Sequence, residues 1–145
     1  MRVVSLRVVN KEGETLLVQR ASTKRREPNK RTIAVGGGVE AGESYEEAIV
    51  RETKEELGIT VKPTFLVKRK SVDEEAINFF QAIFYVQLPK DTPFQFDEHE
   101  IQNTKWLSKA EIDERSQTSP DDFVASFHKY WEIINKKIST FPLQP

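Results

Sequence analysis

The sequence contains no cysteine among its 145 residues. That absence excludes disulfide bonds, cysteine-ligated zinc and a thiol nucleophile, and it suits a reducing cytoplasm, which is the location we expect. Long apolar runs are also absent, since the longest, at residues 82–86, is far shorter than the roughly 20 residues that cross a membrane. Arg2 and Arg7 interrupt the apolar N-terminal stretch, so we expect neither a signal peptide nor a membrane partner.

A strong excess of one charge is lacking as well. The formal net charge is −1, so no overall field attracts nucleic acid, and we expect no nucleic-acid partner. The apolar fraction of 37% is that of a globular chain and excludes a wholly disordered one. The length suits one domain, and we expect residues 1–145 to form a single domain.

Glycine is scarce, but its distribution is uneven. Four of the six glycines lie in the segment GGGVEAG at residues 36–42. A basic segment, TKRREPNKR at Thr23–Arg31, precedes them, and a glutamate-rich segment follows. A basic arm, a glycine-rich turn and an acidic helix are therefore predicted in succession.

Hydrophobic patterning and capping signals predict an α/β or α+β layered sandwich. The predicted strands are Arg2–Val9, Thr15–Arg20, Thr32–Val35, Val61–Lys70, Ile77–Leu88 and Lys105–Leu107. Capping boxes at Ser44 and Ser108 predict one helix that ends at Gly58 and a second, short helix. Ser119-Pro120 predicts a third helix that extends to about Thr140.

The helix predicted after Ser44 has an apolar face beside an acidic arc. On a helical wheel the core-facing positions are Ile49, Val50, Thr53 and Leu57. The acidic arc consists of Glu52, Glu55 and Glu56. The spacing predicts that Arg51 pairs with both Glu47 and Glu55, one turn away on either side.

Glu52 and Glu56 have no cation one turn away in the same helix. Like charges at this spacing destabilise a helix, so we expect a cation between the two carboxylates. A hard divalent ion, Mg²⁺ or Mn²⁺, prefers carboxylate and water oxygens. The alternatives are an exposed acidic helix face, or an ion pair with a lysine or arginine distant in the sequence.

The full spacing from Gly37 to Ile59 resembles the Nudix box, G-x5-E-x7-R-E-U-x-E-E-x-G-U. Every charged and glycine position of the box is matched, and Thr53 stands where a larger aliphatic residue is more usual. The wider segment 16–48 is similar to a bacterial subgroup of YfcD-like proteins, near the isopentenyl-diphosphate isomerase branch. The resemblance implies a Nudix-type α/β/α sandwich with a mixed sheet between helices.

The resemblance also implies an activity, because Nudix proteins typically hydrolyse a nucleoside diphosphate linked to another moiety. A small-molecule diphosphate or a related organic diphosphate is then the expected partner, and the family allows a homodimer. Implied metal ligands are Glu52, Glu55, Glu56 and the carbonyl of Gly36. Implied catalytic residues are Glu52 as base or water orienter, Arg51 as the residue that orients the carboxylates, and Glu43 at the start of the helix.

Two further segments are candidates for the same site. Many family members use another acid after the box, and here Asp97, Glu98 and Glu100 qualify, with Glu98 as the first choice. The basic arm and the glycines are candidates for holding phosphate or a leaving group: Lys24, Arg25, Arg26, Lys30, Arg31, Gly37 and Gly38. For each cation of the arm, a solvated loop position is the alternative.

Three other functions are disfavoured by the sequence. An isopentenyl-diphosphate isomerase of this branch uses an active-site cysteine, which this chain lacks. A binding module without catalysis is disfavoured because degenerate Nudix domains usually lose box carboxylates, and all are present here. A Ca²⁺-stabilised structural domain lacks the alternating oxygen ligands that such loops use.

Overall fold

The computed structural model describes residues 1–72 and 78–138. Its strands are β1 Arg2–Val9, β2 Thr15–Arg20, β3 Arg31–Ile33, β4 Val35–Gly38, β5 Thr64–Val72, β6 Asn78–Gln87 and β7 Ile101–Leu107. The helices are α1 Tyr45–Leu57, α2 Lys109–Thr118 and α3 Phe127–Ile138, with a 3₁₀ turn at Pro120–Asp122. The expected strand start at Ile77 and helix end at Thr140 lie outside the described residues.

The sheet is mixed, as predicted. The strand order is β3-β2-β1-β6-β5, with β4 also paired to β1 and β7 to β2. Strand β1 runs parallel to β6 and antiparallel to β2 and β4. Because β1 is central, its residues 4–9 are buried on both faces, and Val4, Leu6 and Val8 belong to the core that α1 covers.

The opposite face of the sheet packs against the C-terminal helices. Leu17 and Ile83 of the sheet lie there in one cluster with Phe127, Trp131 and Ile134 of α3. The two helical layers with the sheet between them are the predicted sandwich. Among the described residues no helix is long and apolar enough to cross a membrane.

Helix α1 begins and ends where its sequence signals predict. Ser44 accepts a hydrogen bond from the Glu47 backbone N–H, and the Glu47 side chain accepts one from the Ser44 N–H. Gly58 ends the helix with φ +72°, in the left-handed region that favours glycine. The buried residues are Ala48, Ile49, Thr53 and Leu57, so Ala48 replaces the predicted Val50 on the core face.

Four predicted elements differ from the structure. The strand predicted at Val61–Lys70 is observed as β5, which begins three residues later. The strand predicted at Thr32–Val35 is divided into β3, which pairs with β2, and β4, which extends to Gly38 because the glycines pair with Val3–Ser5 of β1. Strand β7 begins at Ile101 rather than Lys105, because its first half pairs with β2. The helix predicted from Pro120 is interrupted, because the Val124 N–H donates to the Arg31 carbonyl and leaves the helical pattern.

Candidate functional site

The glycine strand β4 lies directly against helix α1. A Cβ placed on Gly37 would overlap the carboxyl group of Glu52, and would meet no other atom so closely. Glycine is therefore the residue that lets this carboxylate approach the strand. The side chain of Glu52 is only 15% exposed.

The next carboxylate along the helix, Glu56, also faces β4. The Gly36 N–H donates to Glu56 Oε2 at 3.3 Å. Burial, together with the negative charge of Glu52, raises the pKa of Glu56 to about 8. Burial likewise raises the pKa of Glu52, although Arg51 acts in the opposite direction. The two partly buried carboxylates thus lie close enough for the charge of Glu52 to disfavour the ionisation of Glu56.

Arg51 joins the start and the middle of the helix. Its Nε and Nη2 donate to the two oxygens of Glu43 at 2.8 and 2.9 Å, and Nη2 also donates to the Gly38 carbonyl at 3.0 Å. Its Nη1 donates to Glu52 Oε1 at 2.9 Å and more distantly to Glu55 Oε2 at 3.4 Å. The bidentate contact with Arg51 lowers the pKa of Glu43 to about 2.

Two expectations about charge pairing were wrong. Arg51 does not pair with Glu47, because the Glu47 carboxylate is used in the capping box. Glu52 does have a cation, because the Arg51 side chain reaches the adjacent residue in sequence. No described residue forms an ion pair with Glu56.

A divalent cation requires several oxygen ligands that point to one place. The described residues contain no group of three or more acidic or histidine side chains already arranged around a common point. Glu52 and Glu55 turn towards Arg51, and Glu55 is 58% exposed. The chemistry of the donors nevertheless fits a hard cation, because Glu52 and Glu56 supply only oxygen and the negative charge of Glu52 raises the pKa of Glu56. A cation between them would relieve that repulsion.

The acids of the loop before β7 occupy different environments. Glu98 and Asp97 are exposed, and Asp97 accepts a hydrogen bond from the His99 N–H. Glu100 is half-buried, contacts Lys24 Nζ at 2.7 Å and raises the pKa of Glu56 by its charge. The structure therefore brings Glu100 to the cleft, rather than the first choice, Glu98.

A cleft of about 260 Å³ opens between β3, β4 and the basic arm. It is lined by the carboxylates Glu56, Glu100 and Glu27, by Arg20 and by Gly36. Sequence reasoning missed Arg20 and Glu27. The one available signal was their position near or in the basic arm: Arg20 ends β2, shortly before the arm, and Glu27 lies within the arm with φ +48°.

The cations of the arm divide into two groups. Lys24 binds Glu100, Lys30 donates to the Asp121 carbonyl, and Arg31 donates to Asn103 Oδ1 at 3.4 Å. Arg25 and Arg26 are exposed, and their side chains have no partner among the described residues. The backbone of the arm is held by Arg20, whose Nη2 donates to the Arg26 carbonyl at 2.8 Å.

The combination of a glycine strand, Arg51 and the acidic helix face corresponds to a known domain. The family model of the NUDIX domain matches residues 1–127. The chain belongs to the Nudix family. A Nudix hydrolase of Deinococcus radiodurans is 29% identical over 110 residues, which are 74% of this chain and 63% of the relative. An uncharacterized Nudix hydrolase of Yersinia pestis is 32% identical over 114 residues, which are 78% of this chain and 62% of the relative. This chain thus spans a little under two thirds of these curated relatives.

Solved structures share the Nudix fold of the chain. A crystal structure of a Deinococcus radiodurans protein has a TM-score of 0.77 at 24% identity, over 94% of this chain and 82% of that one. A MutT protein from Methanosarcina mazei has a TM-score of 0.75 at 22% identity, over 97% and 96%. The NUDIX domain of Shewanella oneidensis NrtR, solved with ADP ribose, has a TM-score of 0.71 at 14% identity, over 95% and 88%. At these identities the likeness is one of fold, and it confirms the predicted sandwich.

One further relative belongs to the isomerase branch. An isopentenyl-diphosphate Delta-isomerase of Escherichia coli is 25% identical over 107 residues, which are 71% of this chain and 59% of the relative. The isopentenyl-diphosphate isomerase branch, to which the sequence shows a resemblance, is thus among the relatives. Its sequence identity to this chain is lower than that of the two Nudix hydrolases. These likenesses do not single out the YfcD-like subgroup, which stays a prediction.

Proposed function

We propose that this Nudix domain is a hydrolase of a phosphoanhydride bond in a nucleoside diphosphate linked to another moiety, and that it uses Mg²⁺ or Mn²⁺. The observation that carries the proposal is the position of two carboxylates on the glycine strand. Glu52 lies against Gly37, and Glu56 lies at Gly36 with no cation among the described residues. Burying a carboxylate without a cation is costly, and a divalent ion offsets that cost.

We assign different roles to the residues of the site according to their positions. Glu52, Glu55, Glu56 and the Gly36 carbonyl would hold the metal. A bound divalent ion would polarise a phosphoryl oxygen and lower the pKa of a coordinated water. Glu52 is the candidate to orient that water or accept its proton. Arg51 is held by its hydrogen bonds to Glu43 and donates to one oxygen of the Glu52 carboxylate. That contact keeps the Glu52 carboxylate in place.

Phosphate recognition is proposed for the basic arm. Arg25 and Arg26 have no side-chain partner among the described residues, so they are the cations available to a diphosphate or its leaving group. Lys30 and Arg31, also predicted as phosphate ligands, each hold a protein group and reach substrate only by releasing it. Gly37 and Gly38 have no Cβ, so the backbone of β4 can approach a phosphate group closely.

The substrate class rests on fold neighbours as well as on the site. The NUDIX domain of Shewanella oneidensis NrtR was solved with ADP ribose, and another fold neighbour is an Ap4A hydrolase of C. elegans. Both compounds contain phosphoanhydride bonds between two organic groups. We therefore propose compounds of this kind, and we include isopentenyl diphosphate in the assay because of the isomerase relative.

The test is a metal-dependent phosphate-release assay, coupled to a phosphatase, on a panel of nucleoside diphosphates linked to sugars or nucleosides, with isopentenyl diphosphate included. We expect turnover with Mg²⁺ or Mn²⁺, and a loss of about 10²–10³ in kcat for Glu52→Gln and Glu56→Gln. The matched control is Glu46→Gln, an exposed glutamate in the first turn of the same helix. Wild-type turnover in both Glu52→Gln and Glu56→Gln would end the catalytic assignment.

A further inference from the structure

A second pocket opens on the other side of the cleft's inner wall. It lies between the sheet and α3 and has a volume of about 270 Å³. Thr32, Ile33 and Ser126 line both this pocket and the cleft that contains Glu56. The second pocket and the cleft therefore adjoin each other at these three residues.

The polar groups at this pocket are arginine, glutamine and tyrosine. Arg69 Nε donates to Gln81 Oε1 at 2.8 Å, and its guanidinium lies 6.0 Å from the ring centre of Phe79. Gln81 Nε2 in turn donates to Ser5 Oγ at 3.3 Å. These contacts fix the Arg69 side chain and leave its terminal nitrogens without a protein acceptor among the described residues.

Two buried donors lie near the inner end of the pocket, Tyr130 and Arg7, and each residue is 4% exposed. Arg7 Nη1 has no hydrogen-bond partner among the described residues, and Tyr130 Oη interacts with the Ser5 side chain without a hydrogen bond of normal geometry. Arg7 is held by Thr15 Oγ1, to which its Nε and Nη2 donate at 3.1 and 2.8 Å, and by the ring of Trp131. Unpaired buried donors are rare in folded proteins because each one forfeits its hydrogen bonds to water.

The charge around these donors is uncompensated. Burial lowers the pKa of Arg7 to about 10, so the side chain remains cationic at neutral pH. Burial raises the pKa of Tyr130, so its hydroxyl keeps the proton and can donate. No described acidic side chain lines the pocket or pairs with Arg7 or Arg69. The pocket therefore presents donors and positive charge, and a ligand group with acceptor oxygens complements both.

We propose that this pocket binds a second anionic group of the substrate, a carboxylate or a phosphate on the moiety attached to the diphosphate. The inference rests on the proposed function for the position of the diphosphate, but the charge of the pocket is independent of it. Arg69 and Tyr130 contact the anionic group, and Arg7 stabilises it from behind Tyr130. Neutral compounds with the same diphosphate lose these contacts.

The first experiment compares substrates that differ only at that group. UDP-glucuronate and UDP-glucose differ by a carboxylate, and NADPH and NADH differ by a phosphate. We expect wild-type kcat/KM to favour the anionic member of one pair by about tenfold or more, since hydrogen bonds to charged groups have that strength. The pair that shows the preference identifies the source of the anion. Equal kcat/KM within both pairs would overturn the inference while leaving the hydrolase proposal intact.

The second experiment uses variants to test whether the preference for anionic substrates arises in this pocket. Arg69→Gln and Tyr130→Phe are expected to reduce the ratio of anionic to neutral kcat/KM, and Arg69→Lys to retain part of it. Lys68→Gln is the matched control, because Lys68 lies next to Arg69 on β5 but is exposed and points towards Tyr45. A ratio that is the same in wild type, Arg69→Gln and Tyr130→Phe would assign the preference to another part of the protein.

A binding experiment does not depend on turnover. Metal-free full-length protein is titrated calorimetrically with inorganic phosphate and, separately, with acetate. We expect Arg69→Gln and Tyr130→Phe to weaken binding of one of these ions by about tenfold, with Lys68→Gln unchanged. Undetectable binding, or equal affinity in all four proteins, would overturn the inference even if no hydrolysable substrate is found.

Discussion

The Cα of Gly37 lies against the carboxyl group of Glu52, so that a methyl group at position 37 would occupy the space of that carboxyl. Residues 15 positions apart in the sequence thus define one small volume. Glu52 is held there from the other direction by Arg51, whose Nη1 donates to it at 2.9 Å. The position of the carboxylate is therefore determined by the strand and the helix together, and substitutions on either element should change it.

Gly37→Ala tests the close approach from the strand. The new methyl group must displace the Glu52 carboxylate, so we expect kcat/KM to fall about a hundredfold, the effect of small misplacements in catalytic geometry. Gly38→Ala is the control, because a Cβ there meets nothing within 4 Å. Equal losses in the two variants would mean that the close approach to Glu52 has no special role.

Glu43→Gln tests the anchor of Arg51 through its pH dependence. Arg51 lowers the pKa of Glu43 to about 2, whereas an unfolded glutamate titrates near its ordinary value of about 4.3. The ionised pair therefore adds stability above the ordinary value, and this stability is lost as the pH falls from there towards 2.

The measurement is the melting temperature of wild type and Glu43→Gln across this pH range. We expect Glu43→Gln to melt below wild type at neutral pH, and the difference to shrink as the solution is acidified below about pH 4.3. Glu46→Gln, which removes an exposed carboxylate three residues away in the first turn of α1, controls for general charge effects. A difference that stays constant or widens in acid would contradict the ion-pair account.

Glu100→Gln and Glu98→Gln separate the two acids of the loop before β7. Glu100 lines the cleft and affects the pKa of Glu56, whereas Glu98 is exposed. We expect Glu100→Gln to change the metal concentration needed for half-maximal activity by about tenfold, in the range seen for groups that support metal ligands. Glu98→Gln should behave as wild type. The reverse order would restore Glu98 as the functional acid.

Much of the site follows from local sequence signals. The capping box at Ser44 and the left-handed Gly58 define the length and rotation of α1. Once these are known, the acids at 52 and 56 must share a face of the helix. The position of that face against β4 was not predicted, because the glycines become a strand only by pairing with β1.

The contacts that local rules missed depend on pairings between distant segments. Glu100 reaches the cleft because β7 pairs with β2 from Ile101 onwards, and no pattern at 101–104 distinguishes a strand from a loop. The contact between Arg69 and Gln81 joins adjacent strands, and Tyr130 reaches the same face from α3. Glu52 was expected to lack a cation because helical spacing describes positions one turn apart, while the long side chain of Arg51 reaches the adjacent residue.

The most direct test of the account is calorimetric titration of Mn²⁺ into wild type, Glu56→Gln, Glu52→Gln and the control Glu46→Gln. If Glu52 and Glu56 hold the metal, we expect wild type and Glu46→Gln to bind equally, and each of the other two to bind at least about tenfold more weakly. Unchanged Mn²⁺ affinity in both Glu52→Gln and Glu56→Gln would contradict the account.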